Sequence, residues 1–236
     1  MKRTTRSATV RPAITAGPTI LFLGPQGSGK GTQASLLGSR HGLHHVEMGA
    51  ILRGLRHRKH PSPFARRVAG LIDRGRLVPS RWVVYLLDEH LASVPRTSGL
   101  VLDGSARRLP EARAISRVLK KHGRTLDLVL YLTISRNESV RRLTRRWSCL
   151  KKRHILTMGK DVKRPTDRCP ICGSRIAQRD DDTPAAITKR LALFRKETLP
   201  SIRYFRERGL VTRIHGERSV ASVARDIEHA FQSIHR

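Results

Sequence analysis

Positions 24–32 read GPQGSGKGT, a spacing of residue types that can hold phosphate. Gly24, Gly27 and Gly29 let the backbone curl until several N–H groups converge on one anion. Lys30 supplies a point charge for the outer phosphates. An apolar run, TILFLG at 19–24, leads in and a helical pattern follows, so a helix N-terminus adds its own field. Strand, glycine turn and helix in that order are the context a nucleotide-binding loop requires. The phosphate chain of a nucleotide is the expected occupant, held along Gly27, Ser28, Gly29, Lys30, Gly31 and Thr32. Asp103 closes a second apolar run, GLVLDG at 99–104. A carboxylate there can hold Mg²⁺ through the ion's waters, with a helix-capping role as the plainer alternative.

The elements that must position these groups are legible in the hydrophobic pattern. Strands are expected at 19–24, 99–104, 126–133 and 210–216, with a short one at 43–47, because each run is apolar and bounded by turn residues. Helices are expected at 30–40, 49–60, 64–74, 80–94, 110–122, 136–147, 184–208 and 219–235. Ser219 is a ready N-cap for the last, whose apolar positions 220, 223, 227, 230 and 234 share a face. Alternating strands and helices imply an α/β fold with a parallel sheet flanked by helices. Residues 48–78 and 147–182 break the alternation and read as two lobes attached to the sheet of a domain spanning 19–236.

The formal net charge is +30, from 48 Lys and Arg against 18 Asp and Glu. Non-specific attraction of polyanions is expected from such a surface. With five Phe, three Tyr and no RNA-recognition signature, a dedicated nucleic-acid reader is not. No apolar run is long enough to span a membrane, and no membrane partner is expected. Residues 1–18 carry Lys2, Arg3, Arg6 and Arg11 without an apolar core, which reads as a basic flexible tail, an organellar transit segment being the other reading. Three cysteines suit a reducing compartment, so a cytoplasmic protein is expected, and a monomer.

Several motifs in order resemble the adenylate kinases. GPQGSGKGTQ (24–33), with Gly31 between Lys30 and Thr32, is similar to that family's GxxGSGKGTQ. GAILR (49–53), IDRGRLVP (72–79), LVLDGSARRLPEA (100–112), RLTRRWSC (142–149) and CPICGSRIAQRDDD (169–182) resemble its later motifs. The resemblance implies a P-loop NTPase fold whose lobes are a nucleoside-monophosphate (NMP) lobe at 48–78 and a lid at 147–182. It implies reversible phosphoryl transfer from MgATP to an NMP, AMP first. Asp103 and Lys30 would serve the transfer. Arg53 and Arg107 would hold the monophosphate, Arg146, Arg179 and Arg190 would close on the transferring group, and Arg142 would stack on the ATP base. Asp181 and Asp182 would organise the lid arginines.

The family's lid carries two CxxC pairs that bind zinc. Here Cys149 stands alone of the first pair, with Lys152 in its partner's place, and Cys169 and Cys172 form the second. His154 completes a Cys₃His set of a common structural zinc type; the alternative is a lid that has lost its metal. The NMP lobe departs most from the family. Met48 replaces a Thr, Ala50 an Asp, Ser105 and Ala106 the pair Phe-Pro, and Glu111 the Gln that reads adenine. Arg76, Val78 and Gly104 complete the expected NMP site. A carboxylate can only accept hydrogen bonds, so Glu111 is expected to weaken AMP or favour a base such as guanine. His41, His44, His45, His57 and His60 read as solvated residues of this lobe. A kinase-like ATP-binding protein with weakened transfer, serving as a basic nucleic-acid or partner-binding module, is the second reading.

Overall fold

The computed structural model describes residues 16–56, 60–73, 76–152, 154–179 and 182–235. Expectations for the basic tail up to residue 15, for His57 and for Asp181 fall outside the described residues. Five strands form a parallel sheet: β1 (Thr19–Leu23), β2 (His44–Glu47), β3 (Leu100–Asp103), β4 (Leu128–Thr133) and, late in the chain, Val211–His215. Its order is β2-β3-β1-β4 and then the Val211–His215 strand. Side chains alternate between two buried faces, which is why these runs are apolar throughout. Leu21 and Leu23 pack with Leu86, Leu102, Ile115 and Phe205 on one face. Ile20 and Phe22 pack with Leu37, Leu130, Ile227 and Phe231 on the other.

The register aligns the C-terminal ends of the strands. Phe22 pairs with Asp103, and Asp103 with Glu47, so both carboxylates emerge beside the loop that leaves β1. In open parallel sheets, ligands bind outside this edge.

Helix α1 (Lys30–His41) follows the glycine loop directly. Between β2 and β3 come α2 (Met48–Arg56), α3 (Pro63–Asp73) and α4 (Ser80–Leu91). After β3 comes α5 (Leu109–Lys121), and after β4 comes α6 (Arg136–Thr144). Helix α6 stops earlier than the sequence pattern suggests. The segment expected to continue it is a strand instead, β5 (Arg146–Cys149), paired antiparallel with β6 (Ile155–Thr157) and β7 (Ile176–Ala177). The segment expected to be the lid is therefore a three-stranded sheet with its own small core of Cys149, Leu156, Val162, Cys169 and Ile176. The single helix expected at 184–208 is two, α7 (Pro184–Leu193) and α8 (Leu199–Arg206), joined by a π turn at Phe194–Thr198. Pro200, which has no N–H to donate, stands where the α-helical ladder changes. Strand β8 (Val211–His215) and helix α9 (Val220–Gln232) close the chain, with Ser219 capping α9 by accepting from Ser222 N at 3.2 Å.

Candidate functional site: a phosphate loop ringed by arginines

The loop from Gly24 to Gly29 turns by placing Gly24, Gly27 and Gly29 at φ of 151°, 79° and 89°. Side chains rarely adopt such angles. At Gly24 a Cβ would also lie 2.4 Å from the Leu132 carbonyl oxygen, so the loop depends on glycine there twice over. Ser28 is buried, and Lys30 donates from Nζ to the Pro25 carbonyl at 2.9 Å. The ammonium curls over the loop it belongs to. Burial pulls its pKa down to about 8; Asp103 resists this, while Arg107, Arg190 and Arg146 push it further down. Lys30 and Arg107 line one cleft, and Arg146 and Arg190 are close enough for their charges to be felt at the Lys30 ammonium. Asp103 is buried, and its Oδ2 would lie 3.3 Å from a Cβ at Gly31, against the first turn of α1.

Carboxylates hold the arginines in place. Asp182, with a fully buried side chain, takes Arg146 in two bonds, from Nε at 2.8 Å and Nη2 at 2.6 Å, and Arg190 Nη1 at 3.4 Å. The lid strand β5 and helix α7 are tied through this one carboxylate. Half-buried Arg179 precedes Asp182 by three residues, and its carbonyl accepts from Asp182 N at 3.0 Å. Arg142 donates to Glu138 at 2.5 Å and to the Gly27 carbonyl at 3.3 Å, which sets its guanidinium against the phosphate loop. Glu138 is held down to about pKa 2, chiefly by its bond from Arg141 and, against the opposing pull of burial, by Arg142. Sequence reading passed over Glu138, although its spacing of three and four from Arg141 and Arg142 on one helix was a usable signal.

The side expected to receive the monophosphate is built differently. Arg53 pairs with Glu47 at 2.5 Å, a partner no periodic pattern announced because it sits across a strand–helix junction. Arg107 is exposed and lies over Gly104, where φ is 74° and a Cβ would come within 2.7 Å of its Nη2. Arg76 is exposed. Met48 and Val78 are core residues; Met48 packs under the first turn of α2 and presents no open surface. Glu111 is buried, and both carboxylate oxygens are committed. One accepts from Ser80 Oγ at 3.0 Å, the other from the backbone N–H of Arg107 at 2.8 Å and of Arg108 at 3.3 Å. It closes the N-terminus of α5 as a capping glutamate. Burial raises its pKa against those same bonds. In this structure, then, the residue expected to read a base holds a helix end and the loop of Arg107. Among the histidines, His41 bonds Glu228 at 3.0 Å and His44 faces His90 at 3.2 Å.

In the lid, the ligand atoms of Cys149, His154, Cys169 and Cys172 all lie within 4.8 Å of one another. Cys149 Sγ is 3.6 Å from His154 Nδ1 and 3.7 Å from Cys172 Sγ, and His154 Nδ1 is 3.4 Å from Cys169 Sγ. Tetrahedral zinc with Zn–S of about 2.3 Å and Zn–N of about 2.0–2.1 Å requires S···S near 3.8 Å and S···N near 3.6 Å. The donor set fits. Backbone N–H groups of Lys152 and His154 point at Cys149 Sγ at 3.3 and 3.2 Å. Burial works to raise the Cys149 pKa, but Ser174, these N–H groups and Cys172 outweigh it and bring it to about 6, favouring a thiolate there, while burial raises the Cys169 thiol.

A phosphate loop at the C-terminal edge of a parallel sheet, an arginine ring and a cysteine-bearing lid define a family, and comparison with known proteins agrees. The family model described as "Adenylate kinase" matches residues 22–210. The adenylate kinase of Citrifermentans bemidjiense is 33% identical over 214 residues, covering 91% of this chain and 99% of the relative. That of Syntrophotalea carbinolica is 34% identical over 208 residues, covering 88% and 95%. That of Archaeoglobus fulgidus is 28% identical over 215 residues, covering 91% and 98%. The chain belongs to the adenylate kinase family and is a nucleoside monophosphate kinase, moving a phosphoryl group between ATP and a nucleoside monophosphate.

Proposed function

We propose that the acceptor is AMP, so that the reaction is ATP + AMP = 2 ADP. What supports the proposal is the name of the relatives, taken together with Lys30 and Arg107 lining one cleft and Arg146 and Arg190 joined on Asp182. Phosphoryl transfer needs positioning and charge neutralisation rather than covalent chemistry, and guanidiniums supply both. In this reading Gly27, Ser28, Gly29, Lys30, Gly31 and Thr32 hold the ATP phosphates, and Arg142 flanks the ATP base. Arg53 and Arg107 hold the AMP phosphate; Arg53 is released from Glu47 as it does so. Arg146, Arg179 and Arg190 close on the transferring group, with Asp182 as the joint that moves them together.

Mg²⁺, carried with ATP, neutralises phosphate charge, and Asp103 is the residue that would hold it. Structural zinc on Cys149, His154, Cys169 and Cys172 would hold the lid sheet together, with four protein ligands leaving no position for reactive water. Residues 48–78 act as the NMP lobe and 147–182 as the lid, in a cytoplasmic monomer. Among the described residues, no helix is long and apolar enough to cross a membrane. The relatives' names support AMP; Met48, Ala50, Ser105, Ala106 and Glu111 make the acceptor the part to test. Steady-state kinetics with MgATP and AMP, GMP, CMP or UMP should give the highest kcat/KM for AMP. A higher value for GMP would overturn the acceptor assignment, and ATP binding without turnover of any monophosphate would favour the weakened-transfer reading.

A further inference from the structure

The chain has two Trp, three Tyr and five Phe. Three of these rings meet on one patch formed by α3 and α4. Phe64 packs edge-on against Trp82 with centroids 5.3 Å apart, and edge-on against Tyr85 at 5.6 Å. Phe64 and Trp82 are half-buried and back onto the main core, while Tyr85, 50% exposed, carries the cluster to the surface. Arginines interleave it. Arg81 lies over the Trp82 ring at 6.0 Å and shares a helix stripe with Tyr85, four residues on. Arg67, exposed on α3, follows Phe64 by three residues and so shares its face. Glu89, the acid of the α4 stripe, stands one helical turn on from Tyr85 and raises the pKa of its hydroxyl. None of these side chains lines the cleft of Lys30 and Arg107.

We propose that this patch binds single-stranded nucleic acid without sequence preference, as a site outside the cleft of Lys30 and Arg107. Two needs select that partner. A surface of net charge +30 favours a polyanion, and phosphodiester oxygens match the arginine forks. Exposed rings need flat apolar faces, and unpaired bases provide them where carboxylate side chains of an acidic protein do not. A duplex keeps its bases stacked internally and offers only phosphates. The binding is therefore expected to favour single strands over duplex, to weaken with salt, and to depend on the ring at position 85.

The test is fluorescence anisotropy of the full chain with a labelled oligo(dT) of about 12 nucleotides, within the site size of such platforms. Excess MgATP is present throughout, so that the phosphate loop is not read as the site. Tyr85→Ala should weaken binding about 5- to 150-fold, the range for one lost base stack. Tyr85→Phe should restore it, and both should keep wild-type kinase turnover, which also reports that the fold is intact. Arg81→Ser combined with Arg67→Ser should lower the slope of log K against log salt by about 1.4, since each single-strand phosphate contact contributes roughly 0.7. Equal binding of Tyr85→Ala and wild type, equal affinity for a duplex of the same length, or binding to phosphatidylserine vesicles but not to the oligonucleotide would overturn the proposal.

Discussion

The donor and acceptor halves of this kinase are built from different materials, and they have departed from the family's spelling to different degrees. The proposed donor half is a glycine turn with guanidiniums steered by Asp182 and Glu138. Backbone groups and charge would do its work, and few side-chain changes can alter those. The proposed acceptor half rests on side-chain shape, and three of the replacements there have been absorbed locally, whereas Ser105 Oγ is buried without a hydrogen-bond partner. Met48 has joined the core, and Glu111 has become a helix cap. Ala106 shows the absorption most directly: it is buried at φ 54°, an angle that a proline locked near −65° cannot take. The loop carrying Arg107 therefore runs along a path the family's Phe-Pro could not follow. For an L-residue this conformation costs about 1–2 kcal/mol. A charged donor site tolerates drift around it; a shaped acceptor site is remade by it.

The largest effect should follow from breaking the donor half at its centre. Lys30→Met keeps the length and removes the charge. It should lower kcat by about 10³-fold or more, the scale of a single cation acting on a transferring phosphoryl group. Thermal stability should hold or rise, because a half-buried ammonium repelled by three arginines is gone. The wild type carries a matching pH signature. With a free-enzyme pKa of about 8, Lys30 is charged below pH 8, and bound ATP raises that pKa. ATP affinity is therefore full below pH 8 and should fall up to tenfold per unit as pH rises above it, with proton uptake on binding visible by calorimetry. A flat ATP affinity from pH 7 to 9.5 would separate Lys30 from the phosphates.

An intermediate effect tests whether the lid belongs with the robust half. Its core is five side chains, too few to hold three short strands without a further constraint. Purified protein should contain about one zinc per chain, and Cys169→Ser should lose it and lower the melting temperature by several degrees. Metal-free protein, prepared without chelator and melting at the same temperature as Cys169→Ser, would show that the lid stands without metal.

What the sequence made legible follows the same division. All five sheet strands and the phosphate loop were readable, because fully buried parallel strands are short apolar runs and the glycine spacing is tied to one backbone path. The Cys₃His set was readable from register, and Asp182 from its place among lid arginines. The lid strands were not: RWSC lacks an apolar run, and β5 is held by pairing with β6 and β7 rather than by propensity. Nor was the pair of Glu47 and Arg53, which meet only once β2 and α2 have folded. Glu111 was read by analogy as touching a base. Its position three residues after Arg108, at the start of a helical pattern, was the local sign of a cap.

The smallest effect decides whether Glu111 belongs to the helix or to the substrate. If it is a cap, Glu111→Ala leaves the Ser80 hydroxyl and two backbone N–H groups without their acceptor. That should cost about 1–3 kcal/mol, or roughly 2–4 °C of melting temperature per kcal/mol in a domain of this size. Glu111→Gln should behave otherwise. Its amide oxygen can still accept from Arg107 N–H while its NH₂ donates to Ser80 Oγ, and the burial cost of a charge disappears. Burial holds the native Glu111 pKa above its unfolded value, so the wild type loses stability as pH rises through that window. Glu111→Gln should match the wild type at acid pH, where the carboxyl is protonated in both states, and equal or exceed it at pH 7. The AMP-to-GMP ratio of kcat/KM should stay within about twofold of wild type. A change in that ratio of about 5- to 150-fold, the value of one matched hydrogen bond to a base, would mean that Glu111 leaves its cap when the monophosphate binds. The acceptor half would then read its substrate with the same residue that holds its loop.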